Sequence, residues 1–241
     1  MKSILHKANT RGQADLGWLN SHHTFSFAAY HNPERMNFGV LRVLNDDVVS
    51  EGRGFGTHPH SNMEIISIPL KGNLKHMDSM DNVAVIKEGD VQVMSAGTGV
   101  SHSEYNENKD EPVEFLQIWI IPNKQNVTPK YDQISLKEIQ TKNKLYQILS
   151  PNKDDQGVWI HQNAWFHLGD FENTIKGNYT LNDASSNGVY IFVLEGRIKI
   201  NTEILDRRDG YGIWATNEFD FETLHNNTRI LVMEVPMHID Y

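Results

Sequence analysis

The sequence predicts an all-β protein built from two antiparallel β-barrels, and its strand pattern, its turns and an internal repeat all support this class. Short runs rich in Val, Ile, Phe and Tyr recur along the 241 residues, separated by turn residues such as those around Gly72. Many short strands without intervening helices favour a sandwich or barrel. The predicted strands are Phe38–Leu44, Met63–Leu70, Val83–Ile86, Asp90–Ser95, Val113–Ile121, Gly188–Leu194, Arg197–Asn201, Tyr211–Ala215 and Thr228–Val235.

An internal repeat indicates two similar units. The segment IISIPLKGNLKH, around Gly72, resembles VYIFVLEGRIKI, around Gly196, and each has the pattern of two strands joined by a glycine turn. A further glycine-marked strand follows each segment, and then an apolar strand that ends at Pro122 or Pro236. Chance similarity between β-hairpins is the alternative explanation, but the matching order and spacing favour a true repeat.

The repeat sets the predicted domain boundaries. We expect an N-terminal domain at residues 1–130 and a C-terminal domain at residues 131–241. The polar, proline-containing stretch 122–144 has the composition of a linker or crossover. Its Ser135–Gln140 segment is the one modest helix candidate.

Composition and charge exclude several classes of protein. The chain has no cysteine, which rules out disulfides, thiolate metal sites and a cysteine nucleophile. A net charge of −9 with scattered Lys and Arg argues against direct nucleic-acid binding. No apolar run suits a signal peptide or a membrane helix, so we expect a cytoplasmic protein with no membrane association.

Two pairs of potential metal ligands occur at strand spacing. His58 and His60 are two residues apart, as are His102 and Glu104, and side chains two apart on a strand project from one face. Glu64 would share the face of His58 and His60 if that strand continued unbroken. Imidazole and carboxylate suit Fe(II), Mn, Co, Ni, Cu or Zn. The pattern predicts one metal ion in the N-terminal domain, with either glutamate as a candidate ligand.

These clusters carry a family resemblance. The spacing of Gly52, His58, His60, Glu64 and Gly72 resembles the first cupin motif. The run from Gly89 through His102 to Asn106 resembles the second, although Ser95 stands where proline is common and two extra residues precede the histidine. The chain is more specifically similar to the pirin family, in GWLNSHHTFSF, FGVLRVLNDDVV, GRGFGTHPHSNMEIISIPLKG and MSAGTGVSHSEYN. The resemblance is strong over residues 10–122 and weak in the C-terminal half.

The resemblance implies a bicupin, that is, two barrels of the double-stranded β-helix or jelly-roll type, and a particular ligand set. In pirins three histidines and a glutamate hold the metal, and these correspond to His58, His60, His102 and Glu104. In many other cupins the glutamate ligand corresponds instead to Glu64. The family's usual metal is iron, so Fe(II) is the expected ion, with Mn, Co, Ni, Cu or Zn as alternatives.

The C-terminal half is expected to lack a metal site. The positions that correspond to the first two histidines are Asn182 and Ala184, and Thr223 corresponds to His102. His225 lies nearby without a partner. In the N-terminal half, the alternating residues Trp18, His22, His23, Phe25 and Phe27 suggest either a wall of the metal pocket or ordinary packing between strands, and we favour packing. Arg53 is expected to be a solvated loop residue.

The resemblance to bacterial pirins implies a quercetin 2,3-dioxygenase that cleaves flavonols with O2 and releases CO. Glu104, or alternatively Glu64, would take the proton of the flavonol 3-hydroxyl. The alternative is a pirin-like regulatory protein whose metal shapes a surface for a protein partner without turnover. A sugar-phosphate isomerase is less favoured, because no basic cluster accompanies the metal motifs. We expect a monomer.

Overall fold

The computed structural model describes residues 1–239, and its regular structure is almost entirely extended. The strands of the first half are β1 (Lys2–His6), β2 (Gly12–Asp15), β3 (Leu19–His23), β4 (Leu41–Val49), β5 (Gly54–His60), β6 (Glu64–Lys71), β7 (Leu74–Asp78), β8 (Val83–Ile86), β9 (Asp90–Ser95), β10 (Val100–Asn106), β11 (Val113–Ile120) and β12 (Lys130–Ser135). Those of the second half are β13 (Leu145–Ser150), β14 (Val158–Trp159), β15 (Trp165–Phe171), β16 (Lys176–Thr180), β17 (Asn187–Glu195), β18 (Arg197–Ile200), β19 (Glu203–Asp206), β20 (Gly210–Trp214), β21 (Glu218–Thr223) and β22 (Thr228–Pro236). A short 3-10 turn, Ala8–Thr10, follows β1.

Each half of the molecule combines a large and a small sheet. The N-terminal half has a seven-stranded sheet in the order β12-β9-β6-β11-β4-β3-β2 and a four-stranded sheet in the order β5-β10-β7-β8. The C-terminal half has a seven-stranded sheet, β1-β20-β17-β22-β15-β13-β14, and a four-stranded sheet, β16-β21-β18-β19. The all-β class is confirmed. The hydrogen-bond ladders do not join the sheets of either half into a closed cylinder, so closure into barrels is not confirmed.

Two strands pair across the predicted domain boundary. β1, at the N-terminus, is antiparallel to β20 in the C-terminal half, with Lys2 opposite Trp214 and His6 opposite Gly210. β12 lies beyond residue 130, yet it is antiparallel to β9 of the N-terminal half. The division between residues 130 and 131 stays a prediction. β1 joins a sheet of the C-terminal half, and β12 joins a sheet of the N-terminal half.

The stretch predicted as a linker is more ordered than expected. Its middle forms β12, and the helix predicted at Ser135–Gln140 is wrong: the chain makes a single turn, in which the backbone N–H of Gln140 donates to the carbonyl oxygen of Leu136 at 2.8 Å. Leu136 is buried in the main apolar core. The buried Leu136 side chain anchors this turn against the core. A segment of six mostly polar residues is too short to form a stable helix.

The two faces of the large N-terminal sheet have different roles. Ile66 and Ile68 of β6 belong to the core that joins the two halves, where Phe166 and Phe192 of the C-terminal half are fully buried. The alternate residue Ile65 lies on the other face, inside the N-terminal half, with Met94 and Val100. Because neighbours in a strand alternate between faces, one strand helps to build both the inter-half core and the inner wall of the functional site. No helix within residues 1–239 has the length and apolar character needed to cross a bilayer.

Candidate metal centre

Three imidazoles converge on the inner face of the small N-terminal sheet. β5 and β10 are antiparallel neighbours, with His102 opposite His58 and Val100 opposite His60. The ring centroids are 4.5 Å apart for His58 and His102, 4.9 Å for His58 and His60, and 4.9 Å for His60 and His102. One ring nitrogen from each histidine lies within 4.8 Å of those of the other two. The three predicted histidine ligands are therefore brought together.

A tight turn delivers His102 to this cluster. Gly97 and Gly99, just before β10, have φ angles of +47° and +139°, in the left-handed region that glycine adopts without a steric penalty. A Cβ atom at Gly97 would also overlap the backbone carbonyl of Val127. These two glycines therefore allow the chain to turn tightly before His102.

The protonation of the cluster fits a metal site. Burial, together with the neighbouring His58, lowers the pKa of His60 to about 4. Burial and the neighbouring imidazoles lower the pKa of His102 to about 3. Both ring nitrogens of His102 are buried with no hydrogen-bond partner in the described part of the chain. Such groups cost free energy unless something binds them, and a divalent cation takes up neutral imidazole lone pairs. The donor set is therefore suited to an ion.

His58 has an oriented ring. Its Nδ1 lies 2.8 Å from the carbonyl oxygen of Gly56, a contact that requires Nδ1 to carry the proton and donate. The lone pair is then on Nε2. Metal-binding histidines commonly fix the coordinating nitrogen in this way, by donating the other N–H to a backbone carbonyl.

Glu104 lies on the deep side of the cluster. Its carboxylate accepts hydrogen bonds from Ser67 Oγ at 2.9 Å and Gln117 Nε2 at 2.6 Å, and it is only 2% exposed. Burial raises its pKa to about 7, although the two hydrogen bonds lower it. Its oxygens lie outside the group formed by His58, His60 and His102, but a second group of potential ligands joins Glu104 to His102 and His76. His102 is thus common to both groups.

Glu64 lies on the opposite face of the large sheet. The chain breaks between β5 and β6, where Asn62 has a φ of +48°, so Glu64 does not keep the parity of His60. Its carboxylate accepts hydrogen bonds from Ser95 Oγ at 2.8 Å and from the backbone N–H of His161 at 3.3 Å. Burial raises its pKa to about 7. The sequence hypothesis that Glu64 points towards the metal pocket is wrong, because the strand is not continuous.

His76 is a site residue that the sequence analysis missed. It lies on β7 directly opposite Glu104, is fully buried, and its ring centroid is 5.3 Å from that of His102. Its Nε2 is 2.9 Å from Asp78 Oδ2. Burial raises the pKa of Asp78, but hydrogen bonds from His76, Asn82 and nearby backbone N–H groups lower it further, below its usual value. Its position in the sequence could have indicated this role. Leu74, His76 and Asp78 alternate directly after the Gly72 turn, so they share one face of a strand.

The aromatic segment near the N-terminus divides between two roles. Phe25 is buried in the inter-half core, with its ring 5.5 Å from that of Tyr190, as expected for packing. His23 and Phe27, whose rings are 5.2 Å apart, lie instead on the inner side, where Phe27 is 5.4 Å from Trp119. The preference for ordinary packing therefore holds for only part of this segment.

The C-terminal half holds a different polar centre. Glu234 is fully buried and accepts hydrogen bonds from Tyr179 Oη, Asn182 and Asn187 side chains, and the backbone N–H of Asp183, all at 2.8–2.9 Å. With its oxygens occupied in this way, it has a structural role. The absence of a metal from this half stays a prediction.

Comparison with known proteins identifies the family. Residues 5–120 match the family model described as Pirin, and residues 147–235 match the Quercetinase C-terminal cupin domain. A quercetin 2,3-dioxygenase of Escherichia coli (strain K12) is 39% identical over 236 residues, which cover 96% of this chain and 98% of that protein. The chain belongs to the pirin family. The expected family is thus confirmed, and so is its bicupin fold, except for the closure of each half into a barrel.

Further pirins extend the likeness. A pirin-like protein of Caulobacter vibrioides is 37% identical over 204 residues, which cover 84% of this chain and 86% of that protein. Among solved structures, the crystal structure of the bacterial pirin YhhW in complex with nickel(II) from Escherichia coli superposes with a TM-score of 0.91 at 36% identity, covering 98% of this chain and 99% of that one. A divalent metal site in the N-terminal half is consistent with that relative and with the buried His/Glu cluster.

Proposed function

We propose that this pirin is a mononuclear metal-dependent dioxygenase that cleaves flavonols with O2 and releases CO. The observation that carries the proposal is the convergence of three imidazoles, two of them with a strongly lowered pKa, beside a buried carboxylate. A relative that aligns over almost the whole chain is named quercetin 2,3-dioxygenase.

In this proposal His58, His60, His102 and Glu104 hold one divalent ion, and Fe(II) is the expected metal, with Mn, Co, Ni, Cu or Zn as alternatives. The ion supplies Lewis acidity and a template for the flavonol and O2. The nickel(II) complex of the bacterial pirin YhhW supports nickel as one of these ions. A cleft of about 370 Å³ beside His60, lined also by Ser61, Ser79 and Gly99, is a route of access for a small molecule.

The protein residues control one proton. Glu104 would take the proton of the flavonol 3-hydroxyl as a general base, and in the metal-free protein burial raises the pKa of its carboxyl to about 7. Ser67 and Gln117 hold the carboxylate in place. In the overall reaction both atoms of O2 enter the ring-opened product, and one carbon of the flavonol leaves as CO. Localisation in the cytoplasm and a monomeric state stay predictions.

The test couples metal content to turnover on one sample. Freshly isolated protein should contain about one transition-metal ion per chain and should consume O2 with a flavonol, and chelation should abolish turnover until metal is restored. His58→Ala should lose most of the metal and the stabilisation that binding gives to the folded state. His225→Ala is the control, because its Nδ1 contacts only the neighbouring carbonyl of Asn226, at 2.6 Å, and should keep both.

Two results would contradict the proposal. Unchanged metal content in His58→Ala would refute the ligand assignment. Full metal loading without flavonol turnover would refute the dioxygenase and favour a metal-dependent binding protein, the other function that the pirin resemblance implies.

A further inference from the structure

A row of polar side chains crosses the inner face of the large N-terminal sheet. Its members are direct neighbours on six successive strands, so all of them project from the same face. In order they are Gln133, Gln92, Ser67, Gln117, Asn45 and His23. The inner face of a small β-barrel is usually filled with apolar side chains, and a continuous polar row there calls for a binding role. Ser67 and Gln117, at the centre, bind Glu104.

The end of the row beyond Glu104 has unsatisfied hydrogen-bonding atoms. His23 and Asn45 are 3% and 2% exposed, and Nδ1 of His23 and Oδ1 of Asn45 have no hydrogen-bond partner among residues 1–239. The indole Nε1 of Trp119, two residues from Gln117 on the same strand face, is likewise buried without one in that range. Each such group costs about 1–3 kcal/mol unless a ligand or water satisfies it. Three of them together mark a place where water or a polar ligand would be bound.

Aromatic rings connect this end of the row to the metal centre. The ring of Trp119 is 4.9 Å from that of His60 and 5.4 Å from that of Phe27, and Phe27 is 5.2 Å from His23. Phe27 and Trp119 are only partly buried. Two of these rings, His23 and Trp119, carry an unsatisfied nitrogen, and Asn45 is the direct cross-strand neighbour of His23. Aromatic rings with hydrogen-bonding atoms among them suit a flat aromatic molecule that carries hydroxyl groups.

We propose that Asn45, His23, Trp119 and Phe27 form a subsite for the part of the substrate that lies away from the metal, namely a hydroxyl-bearing aromatic ring. The assignment rests on the proposed flavonol chemistry for its substrate class. Asn45 Oδ1 accepts a hydrogen bond from a ring hydroxyl, Trp119 Nε1–H donates to a ring oxygen, and Phe27 packs against the ring. His23 is two strands from Gln117, or roughly 10 Å at the usual spacing, so the subsite lies one extended aromatic molecule away from Glu104.

The test measures binding without turnover. Metal-free protein is titrated calorimetrically with a polyhydroxylated flavone that lacks the 3-hydroxyl, and with unsubstituted flavone. In Asn45→Leu the affinity for the hydroxylated flavone should fall about tenfold, the value of roughly one hydrogen bond, while the affinity for unsubstituted flavone should change less than about twofold. Trp119→Phe keeps an aromatic ring but loses the N–H, and should show the same selective loss.

Trp18→Phe is the matched control, because Trp18 packs on Phe55, with ring centroids 5.5 Å apart, and lies outside the subsite. It should bind both flavones as the wild type does. Equal weakening of both flavones, unchanged binding in both subsite variants, or no binding of the hydroxylated flavone to the wild type would each overturn the subsite. If Asn45→Leu fails to fold, Trp119→Phe decides. Because the protein is metal-free and no product is measured, failure of the dioxygenase proposal leaves this result readable.

Discussion

Two buried glutamates flank the large N-terminal sheet from opposite faces. Glu104 reaches the inner face, where Ser67 of β6 donates to it, whereas Glu64, at the start of the same strand, faces the C-terminal half. Burial raises the pKa of each to about 7, although only Glu104 lies near the histidines. The two glutamates have a similarly raised pKa, but only one of them is near the proposed metal ligands. Substitutions at the two positions can therefore be compared directly.

Replacing each glutamate by glutamine should separate their roles. Glu104→Gln keeps much of the shape but removes the proton acceptor, so flavonol turnover should fall by about 10²–10⁴-fold, with a smaller loss of bound metal. Glu64→Gln should be milder on both counts. Bound metal and initial rates are measured side by side. An active Glu104→Gln beside a metal-free, inactive Glu64→Gln would refute the assignment of Glu104 as ligand and base.

The stability of the metal-free protein should depend on pH through Glu64. Burial raises its pKa from 4.5 to about 7, so the folded state binds this proton more tightly than the unfolded chain does. The stability gained is fully present below pH 4.5 and is lost as the pH rises through about 7. Glu64→Gln has no such proton, so its free energy of unfolding relative to wild type should rise by up to about 3 kcal/mol between pH 5 and pH 8.

Urea unfolding at several pH values checks this dependence. The exposed Glu88→Gln is the control and should show no such trend. A constant difference between Glu64→Gln and the wild type at all pH values would mean that Glu64 stays ionised in the folded protein.

For individual residues, the sequence predicts which side chains face the site only where the alternation along a strand is regular. His58, His60 and His102 obey the two-residue period and meet as expected. Glu64 does not, because the residues between β5 and β6 adopt a conformation that no periodicity rule anticipates. The sequence does not predict His76 as a site residue, because the register of β7 against β10 places it opposite Glu104. That register depends on how the strands pair in the folded protein.

Among the elements, β1 has the least expected position. It forms the edge of the C-terminal sheet, where Leu5 packs on that half's core and His6 Nδ1 lies 2.8 Å from Tyr190 Oη. Lys7, directly after it, forms an ion pair with Asp209 at 2.6 Å. The N-terminal segment therefore links the two halves through its contacts with the C-terminal half.

Deleting residues 2–6 should destabilise the fold without emptying the metal site. Loss of the ladder to β20 and of the buried His6 contact should cost roughly 2–4 kcal/mol, which lowers Tm by about 5–15 °C in a protein of this size. Thermal melts and metal analysis of the same sample measure both effects. Lys2→Ala, on an exposed side chain, should melt like the wild type. A folded deletion variant without metal would show that β1 supports the metal centre.

The element pattern is predictable for strands whose apolar runs are long, such as β11, β17 and β22. The sequence predicts a linker where β12 lies, because Tyr131, Gln133 and their neighbours are polar. It is a strand because it lies at the sheet edge, where Gln133 Nε2 donates to Asp90 Oδ2 at 2.9 Å and polar side chains remain partly solvated. Edge strands tolerate such composition, so hydrophobic periodicity cannot find them.

For the whole molecule, the largest apolar cluster lies between the halves and not within either one. Leu116 and Ile118 from the N-terminal half are buried in it with Leu168 and Leu231 from the C-terminal half. The internal repeat predicted two similar units but gave no information on the surface between them. The strands of the large sheet carry apolar residues on both faces, whereas a sheet with one face in solvent would not. This pattern indicates that the second face is covered by the other half.

The pairing of β1 with β20 has a consequence for synthesis on the ribosome. The ribosome makes His6 about 200 residues before its partner Gly210. At roughly 5–20 residues per second, the first strand waits about 10–40 s with its backbone donors and acceptors unpaired. The N-terminal half can begin to collapse during that interval, but β1 cannot reach its place in the fold until β20 has emerged. Docking of β1 is therefore a late event in the folding of this chain, because it depends on the synthesis of β20.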